Sequence, residues 1–232
     1  MNDIAYRSAL IVGAGVGLSA SLARLLAKSG MKVALAARRA DSLAVAKEIG
    51  ATAFACDATK PDDVARLFAE VETAIGSPEA VIYNASYRTR GPFVDLDPEH
   101  VAKALAVTAF GGFLVAQEAV KRMLPRRHGV ILFTGASASV KGYAQSAPFA
   151  MGKFALRGLS QSMARELHPQ GIHVAHIVVD GGIRSDSRPN PPDKPDSLLD
   201  PDAIAQTYLH LLQQPRSAWA CEIELRPWLE KF

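Results

Sequence analysis

Phe149 and Lys153 stand four residues apart in the run Phe149-Ala150-Met151-Gly152-Lys153, a spacing that puts both side chains on one face of a helix. Lysine can hold and release a proton; phenylalanine has none to give. The pair therefore offers one group for general acid–base work, the lysine, and no second one beside it. Upstream, Val12-Gly13-Ala14-Gly15-Val16-Gly17-Leu18 offers a different chemistry. Glycines let a backbone turn tightly and approach a pyrophosphate, whose charge is favoured by the free N–H groups and dipole at a helix start. The competing reading is a turn that merely lets strand and helix pack closely.

About twenty residues past such glycines, an acid at the end of the second strand would grip the ribose 2′-hydroxyl of NAD. The segment Ala34-Leu35-Ala36-Ala37-Arg38-Arg39 has none. Ala37 removes the group that would repel a 2′-phosphate, and Arg38 and Arg39 supply guanidinium donors shaped for one. NADP is therefore the expected cofactor, ahead of NAD. A solvated basic loop is the alternative.

These residues need a scaffold, and the chain alternates short apolar runs with longer helical patterns, as parallel βαβ units do. Strands are predicted at Ser8 to Val12, Lys32 to Ala37, Ala51 to Ala55, Ala80 to Tyr83, Gly129 to Thr134, His173 to Val179 and Glu222 to Leu225. Ala9-Leu10-Ile11-Val12 and Val130-Ile131-Leu132-Phe133 are apolar on both faces, which predicts a sheet covered on both sides. Helices are predicted at Leu18 to Ser29, Ala40 to Ile49, Pro61 to Ile75, Pro98 to Val107 continuing to Arg122, Ala147 to Leu167 and Pro201 to Gln213. Gly30, Gly50 and Gly76 fall at expected helix ends, and Asp200-Pro201 reads as an N-cap with proline in the first turn. The expected fold is α/β: a Rossmann-type, doubly wound, mostly parallel seven-stranded sheet with helices on both faces, in one domain spanning 1–232. The proline-rich stretch Asp186 to Asp200 is too polar for a core element, and it reads as either a lid or a disordered segment.

Composition narrows the function classes. The 232 residues are 49% hydrophobic, with no uninterrupted apolar run near the length that spans a bilayer, and no membrane association is expected. The start, Met1-Asn2-Asp3-Ile4-Ala5-Tyr6-Arg7, lacks the pattern of a secretory signal. Cys56 and Cys221 are far apart and have no ligand-like spacing to histidine, so neither a disulfide framework nor a metal site is expected, and a reducing cytoplasm is the default. Lys and Arg number 26 against 23 Asp and Glu, a net charge of +3 spread without a basic stripe, which gives no support for nucleic-acid binding.

Nearly the whole chain resembles the short-chain dehydrogenase/reductase family. The family's glycine segment reads glycine, three residues, glycine, any residue, glycine; here Gly13 and Gly17 match and Ser19 replaces the third, while Leu18 stands where the common dinucleotide fingerprint has its last glycine. Asp57-Ala58 resembles the pair that meets the adenine ring. Tyr83-Asn84-Ala85-Ser86 resembles the Asn-Asn-Ala-Gly turn that backs the cofactor, although Asn84 also reads as an ordinary turn residue. The resemblance implies cofactor contacts at Gly13, Gly15, Val16, Gly17, Leu18, Arg38, Arg39, Asp57, Ala58, Asn84, Ala85, Ser86, Lys153 and Ile183. It also implies an oxidoreductase acting on a small molecule with a carbonyl or alcohol group.

The family's proton-transfer residues carry over one by one. Its lysine is Lys153, its tyrosine position is Phe149, and its asparagine position falls on Thr108. Its serine spacing falls on Ala136 or, shifted by one, on Ser137, which is expected as the carbonyl ligand; a small loop residue is the alternative for Ser137 and for Ser139. Asp180 takes the place of a proline beside the nicotinamide, and the stretch 184–200 corresponds to the substrate loop. Tyr143, Tyr87 and His176 are weaker substitutes for the missing acid. Arg88 and Arg90 read either as a solvated loop or as a contact for an acidic substrate. The helix of Phe149 and Lys153 implies pairing into a homodimer or homotetramer. Two functions follow: an NADP-dependent carbonyl/alcohol oxidoreductase with an altered proton-transfer site, or a catalytically weak or silent cofactor-binding protein used for sensing or assembly.

Overall fold

The computed structural model describes residues 6–40 and 43–229. The ends of the expected 1–232 unit, and Asp41 and Ser42 in the second predicted helix, lie outside the described residues. Seven strands form one sheet: β1 (Ser8–Val12), β2 (Lys32–Ala37), β3 (Thr52–Ala55), β4 (Ala80–Tyr83), β5 (Gly129–Thr134), β6 (Ile172–Val179) and β7 (Glu222–Leu225). Their order is β3-β2-β1-β4-β5-β6-β7, and every pairing is parallel, so the mostly parallel sheet expected from sequence is wholly parallel.

β1, β4, β5 and β6 are buried along their full length, which explains their apolar character on both faces. Alternate residues serve opposite layers. Ile11, Ile82, Leu132 and Ile177 face one core, together with Leu22 and Leu26 of α1 (Leu18–Lys28) and Tyr208 and Leu211 of α7 (Pro201–Leu212). Leu10, Val81, Ile131 and Phe133 face the other, with Phe68 of α3 (Pro61–Ile75), Val115 and Ala119 of α5 (Gly111–Met123) and Leu156 of α6 (Ala147–Leu167). Each buried Val, Leu, Ile or Phe among them contributes about 1.5–3 kcal/mol of hydrophobic stabilisation.

The helix boundaries follow their caps. Asp200 accepts a hydrogen bond from the Asp202 N–H at 2.8 Å, with Pro201 in the first turn of α7, and Asp97 caps α4 (Pro98–Leu105) in the same way. The second helix, α2, covers only Ala44–Glu48. The predicted helix from Pro98 is not uniform, because Ala106–Phe110 form a π-helical turn between α4 and α5. The continuous run Pro98–Arg126 is long and apolar enough to cross a bilayer, with a mean hydropathy of 1.3; here Val115, Ala116, Ala119 and Met123 pack it into the core.

From the edge strand β3 the chain returns across β2 and β1 to lay down β4. The carboxyl ends of β1 and β4 therefore flank the point where the winding reverses, the place where open α/β sheets bind ligands.

Candidate active site

The turn from β1 into α1 is built around Gly13, whose φ of +84° is left-handed. A Cβ there would collide with the backbone of Ala85. This close approach joins the loop after β1 to the loop after β4. Asn84 reinforces the joint: its Nδ2 donates to Ser19 Oγ at 2.7 Å, and Ser19 Oγ donates to the carbonyl of Gly13 at 3.3 Å. Ser19, the departure from the glycine pattern, thus ties the two loops together. Gly15 and Gly17 are different, because a Cβ at either would meet nothing within 4 Å. Their bareness leaves open space at the start of α1.

The space at Gly15 belongs to a cleft of about 570 Å³. Gly13, Gly15, Val16, Arg38, Arg39, Asp57, Ala58, Asn84, Ala85 and Ser86 all line it. Gly17 is the N-cap of α1, and Leu18 opens that helix with its side chain buried. Lys153 and Ile183 do not line the cleft; Ile183 is bridged to Leu199. Thr59, Lys103 and Val107 line it as well, beyond the residues expected from sequence, and so do Cys56 and Tyr87, the latter expected only as a weaker substitute acid. Thr59 had a signal in its spacing from Asp57, since its N–H and hydroxyl both donate to Asp57 Oδ1 at 3.1 and 2.8 Å. Burial raises the Asp57 pKa, but those hydrogen bonds and the charges of Lys60 and Arg38 hold the carboxyl below its ordinary value. Val107 arrives through the π turn, where its carbonyl accepts from Tyr83 Oη at 2.5 Å; no sequence periodicity marks such a turn.

The wall is rich in cations. Arg38 and Arg39 stand at the end of β2, and Lys103 stands opposite, its Nζ 4.8 Å over the Tyr87 ring. A glycine cradle open at Gly15 and Gly17, faced by guanidinium and ammonium groups, fits a phosphate-bearing dinucleotide.

The proton-transfer half is arranged otherwise. Phe149 is 6% exposed on α6, with the Arg88 guanidinium 4.3 Å from its ring centroid. Lys153 Nζ lies 5.8 Å from the same centroid and donates to the Thr134 carbonyl at 2.6 Å. Burial, and secondarily the charge of Arg88, lowers the Lys153 pKa to about 7. Ser137 opens the short 3-10 turn Ser137–Ser139; Asp180 is 1% exposed and ion-paired to Lys141 and Arg226, each at 2.9 Å. Burial raises the Asp180 pKa, but hydrogen bonds from Ser137 and Lys141 and the charges of Lys141 and Arg226 outweigh it and keep the carboxyl low.

The remaining candidates are dispersed. Ser139 Oγ accepts from the Ala136 N–H at 3.1 Å, and Thr108 is buried in the π turn, where its hydroxyl accepts from the Tyr87 N–H at 3.4 Å. Tyr143 is exposed. His176 is a core residue whose Nδ1 lies 3.0 Å from Glu222.

A family model described as short chain dehydrogenase matches residues 7–194. The chain belongs to that family. Among curated relatives, the 3-oxoacyl-[acyl-carrier-protein] reductase MabA of Mycobacterium avium is 30% identical over 177 residues, which cover 76% of this chain and 67% of the relative. A short-chain dehydrogenase from Rhodopseudomonas palustris superposes with a TM-score of 0.82 at 32% identity, covering 96% of this chain and 99% of that one. A metagenomic short-chain oxidoreductase solved in complex with NADP gives a TM-score of 0.84 at 27% identity, over 96% and 98% of the two chains. As a short-chain dehydrogenase, the chain has an oxidoreductase fold, and one of the structures it resembles holds NADP.

Proposed function

We propose that this short-chain dehydrogenase is an NADP-dependent oxidoreductase interconverting a carbonyl and an alcohol on a small molecule, with a rebuilt proton-transfer site. The observation that carries the reading is the cleft: its glycine cradle is open at Gly15 and Gly17, and Arg38 and Arg39 line it where an acid would select NAD. Glycine backbone and the start of α1 hold the pyrophosphate, Arg38 and Arg39 hold the 2′-phosphate, and Asp57, Ala58, Asn84, Ala85 and Ser86 border the rest. When bound, the cofactor supplies or accepts a hydride at the carbonyl carbon.

Lys153 holds the exchangeable proton. With its pKa near 7, the Nζ gives up or takes a proton at neutral pH, which an ordinary lysine does not. Ile183 and the loop 184–200 border the substrate side in this reading, within one domain. Phe110 and Phe113, and Met151 and Phe154 on α6, are exposed, and we assign them to a homodimer or homotetramer interface. With Cys56 and Cys221 both unpaired, a reducing cytoplasm suits the protein.

The second reading, a weak or silent cofactor-binding protein, is favoured by one observation. Phe149, buried on α6, offers no hydroxyl. The test is to titrate NADPH and NADH and to assay wild type and Phe149→Tyr against ketones and aldehydes. NADPH binding with turnover supports the oxidoreductase; NADPH binding without turnover by either protein supports the silent one.

A further inference from the structure

Arg88 sits over the Phe149 ring, near enough to Arg90 and Arg188 for their charges to act on it. Arg88 and Arg90 sit on the loop after β4, which is pinned at both ends: Tyr87 N–H donates to Thr108 Oγ1 at 3.4 Å, and Gly91 N–H donates to the Gln145 carbonyl at 3.1 Å. Arg188 comes from the loop after β6. Reciprocal backbone hydrogen bonds with Ser185, at 3.0 and 2.9 Å, turn that loop back, and the Arg188 guanidinium lies against Gly182, where a Cβ would fall 2.8 Å from its Nη1. Burial is the main cause lowering the Arg88 pKa, and the charges of Arg90 and Arg188 add to it.

Neighbouring arginines are paired. Arg184 has Asp200, Arg157 has Glu222 and Arg226 has Asp180. Among the described residues, Arg88, Arg90 and Arg188 form no ion pair, and Arg88 is seated instead on the Phe149 ring. Like charges held together by fixed loops repel, whereas guanidinium forks match an oxyanion with paired hydrogen bonds. Phenylalanine suits this seat, since its face attracts the cation and presents no competing hydroxyl.

We propose that Arg88, Arg90 and Arg188 form an oxyanion site that holds the carboxylate or phosphate of a small anionic substrate beside Phe149. The identity of the bound molecule as a substrate rests on the oxidoreductase reading; the binding itself does not. Phe149 then marks specificity as well as a lost acid: the face that would carry a proton donor supports the cation that anchors the substrate.

The experiment is calorimetric titration of the NADPH-saturated protein with inorganic phosphate, with acetoacetate and with neutral methyl acetoacetate. Wild type, Arg88→Gln, Arg188→Gln and, as a surface control, Arg165→Gln are compared, with folding checked by circular dichroism. At least one anion is expected to bind wild type and Arg165→Gln alike, to lose tenfold or more in affinity in Arg88→Gln and in Arg188→Gln, at about the scale of one lost charge-assisted contact, and to outbind the ester. NADPH affinity is expected to be unchanged in all four proteins. The proposal is overturned if neither anion binds, if the ester binds as well, if the control loses as much, or if NADPH affinity falls in parallel, which would assign the anion to the cofactor's own phosphate site. Anion binding that depends on Arg88 without turnover of any carbonyl keeps the site and sinks the oxidoreductase; turnover of neutral ketones with no anion binding to wild type does the reverse.

Discussion

The guanidinium of Arg88 lies 4.3 Å from the centroid of the Phe149 ring, and that contact joins the loop after β4 to α6. Phe149 is the residue we read at the family's tyrosine position. The charge of Arg88 also helps lower the pKa of Lys153, one helical turn further on. The proton-transfer side is thus electropositive, while the dinucleotide cleft keeps its glycines and basic wall.

The glycines of the first turn divide into two kinds. Gly13→Ala is expected to destabilise the protein, since left-handed backbone alone costs about 1–3 kcal/mol and the added Cβ meets Ala85. Gly15→Ala and Gly17→Ala place a methyl in open space and are expected to fold normally while weakening NADPH. Denaturant unfolding beside NADPH titration separates the two behaviours.

Arg38 is assigned to the 2′-phosphate. Arg38→Ala is expected to weaken NADPH by about 10- to 100-fold, the loss of a hydrogen bond between charged groups, and to leave NADH nearly unchanged. Fluorescence titration of both cofactors reads this directly.

Lys153 makes stability depend on pH. Its folded pKa is depressed from 10.5 to about 7, so between those values the unfolded chain holds a proton that the folded chain has released. Stability therefore rises with pH across that window, and below it the full cost of burying the ammonium remains. Urea unfolding at about pH 7 and about pH 9 is expected to show a larger rise for wild type than for Lys153→Met.

The exposed apolar residues of the helical layer predict self-association. Phe154→Asp together with Phe113→Asp is expected to convert a dimer or tetramer to monomer with the fold intact, measured by light scattering on an eluting column. A wild type that elutes as a monomer contradicts the interface.

Much of the fold was legible because the sheet is buried on both faces. Ala9 to Val12 and Val130 to Phe133 could only be inner strands, and five of the seven strands begin and end where expected; the starts of β3 and β6 differ by one residue. The helix of Phe149 and Lys153 matches its predicted span, Ala147–Leu167. The shortening of the second helix and the π turn at Ala106–Phe110 were not legible, since tertiary packing rather than local propensity sets them. In the candidate site, the glycines, Arg38 and Asn84 carried signals in their spacing. The meeting of Arg88 with Phe149, the binding of Asp180 by Lys141 and Arg226, and the cleft positions of Tyr87 and Lys103 depend on segments distant in sequence, so no local pattern announces them.

The most direct measurement is the loss of reduced nicotinamide absorbance when the NADPH-bound wild type is mixed with a panel of ketones, aldehydes and keto acids. Oxidation of NADPH by at least one carbonyl compound is the expected result, with Phe149→Tyr faster on neutral carbonyls by up to about 10²-fold, the lower range for a positioned acid. NADPH that stays bound and reduced across the whole panel, in both proteins, would contradict the assignment of an oxidoreductase.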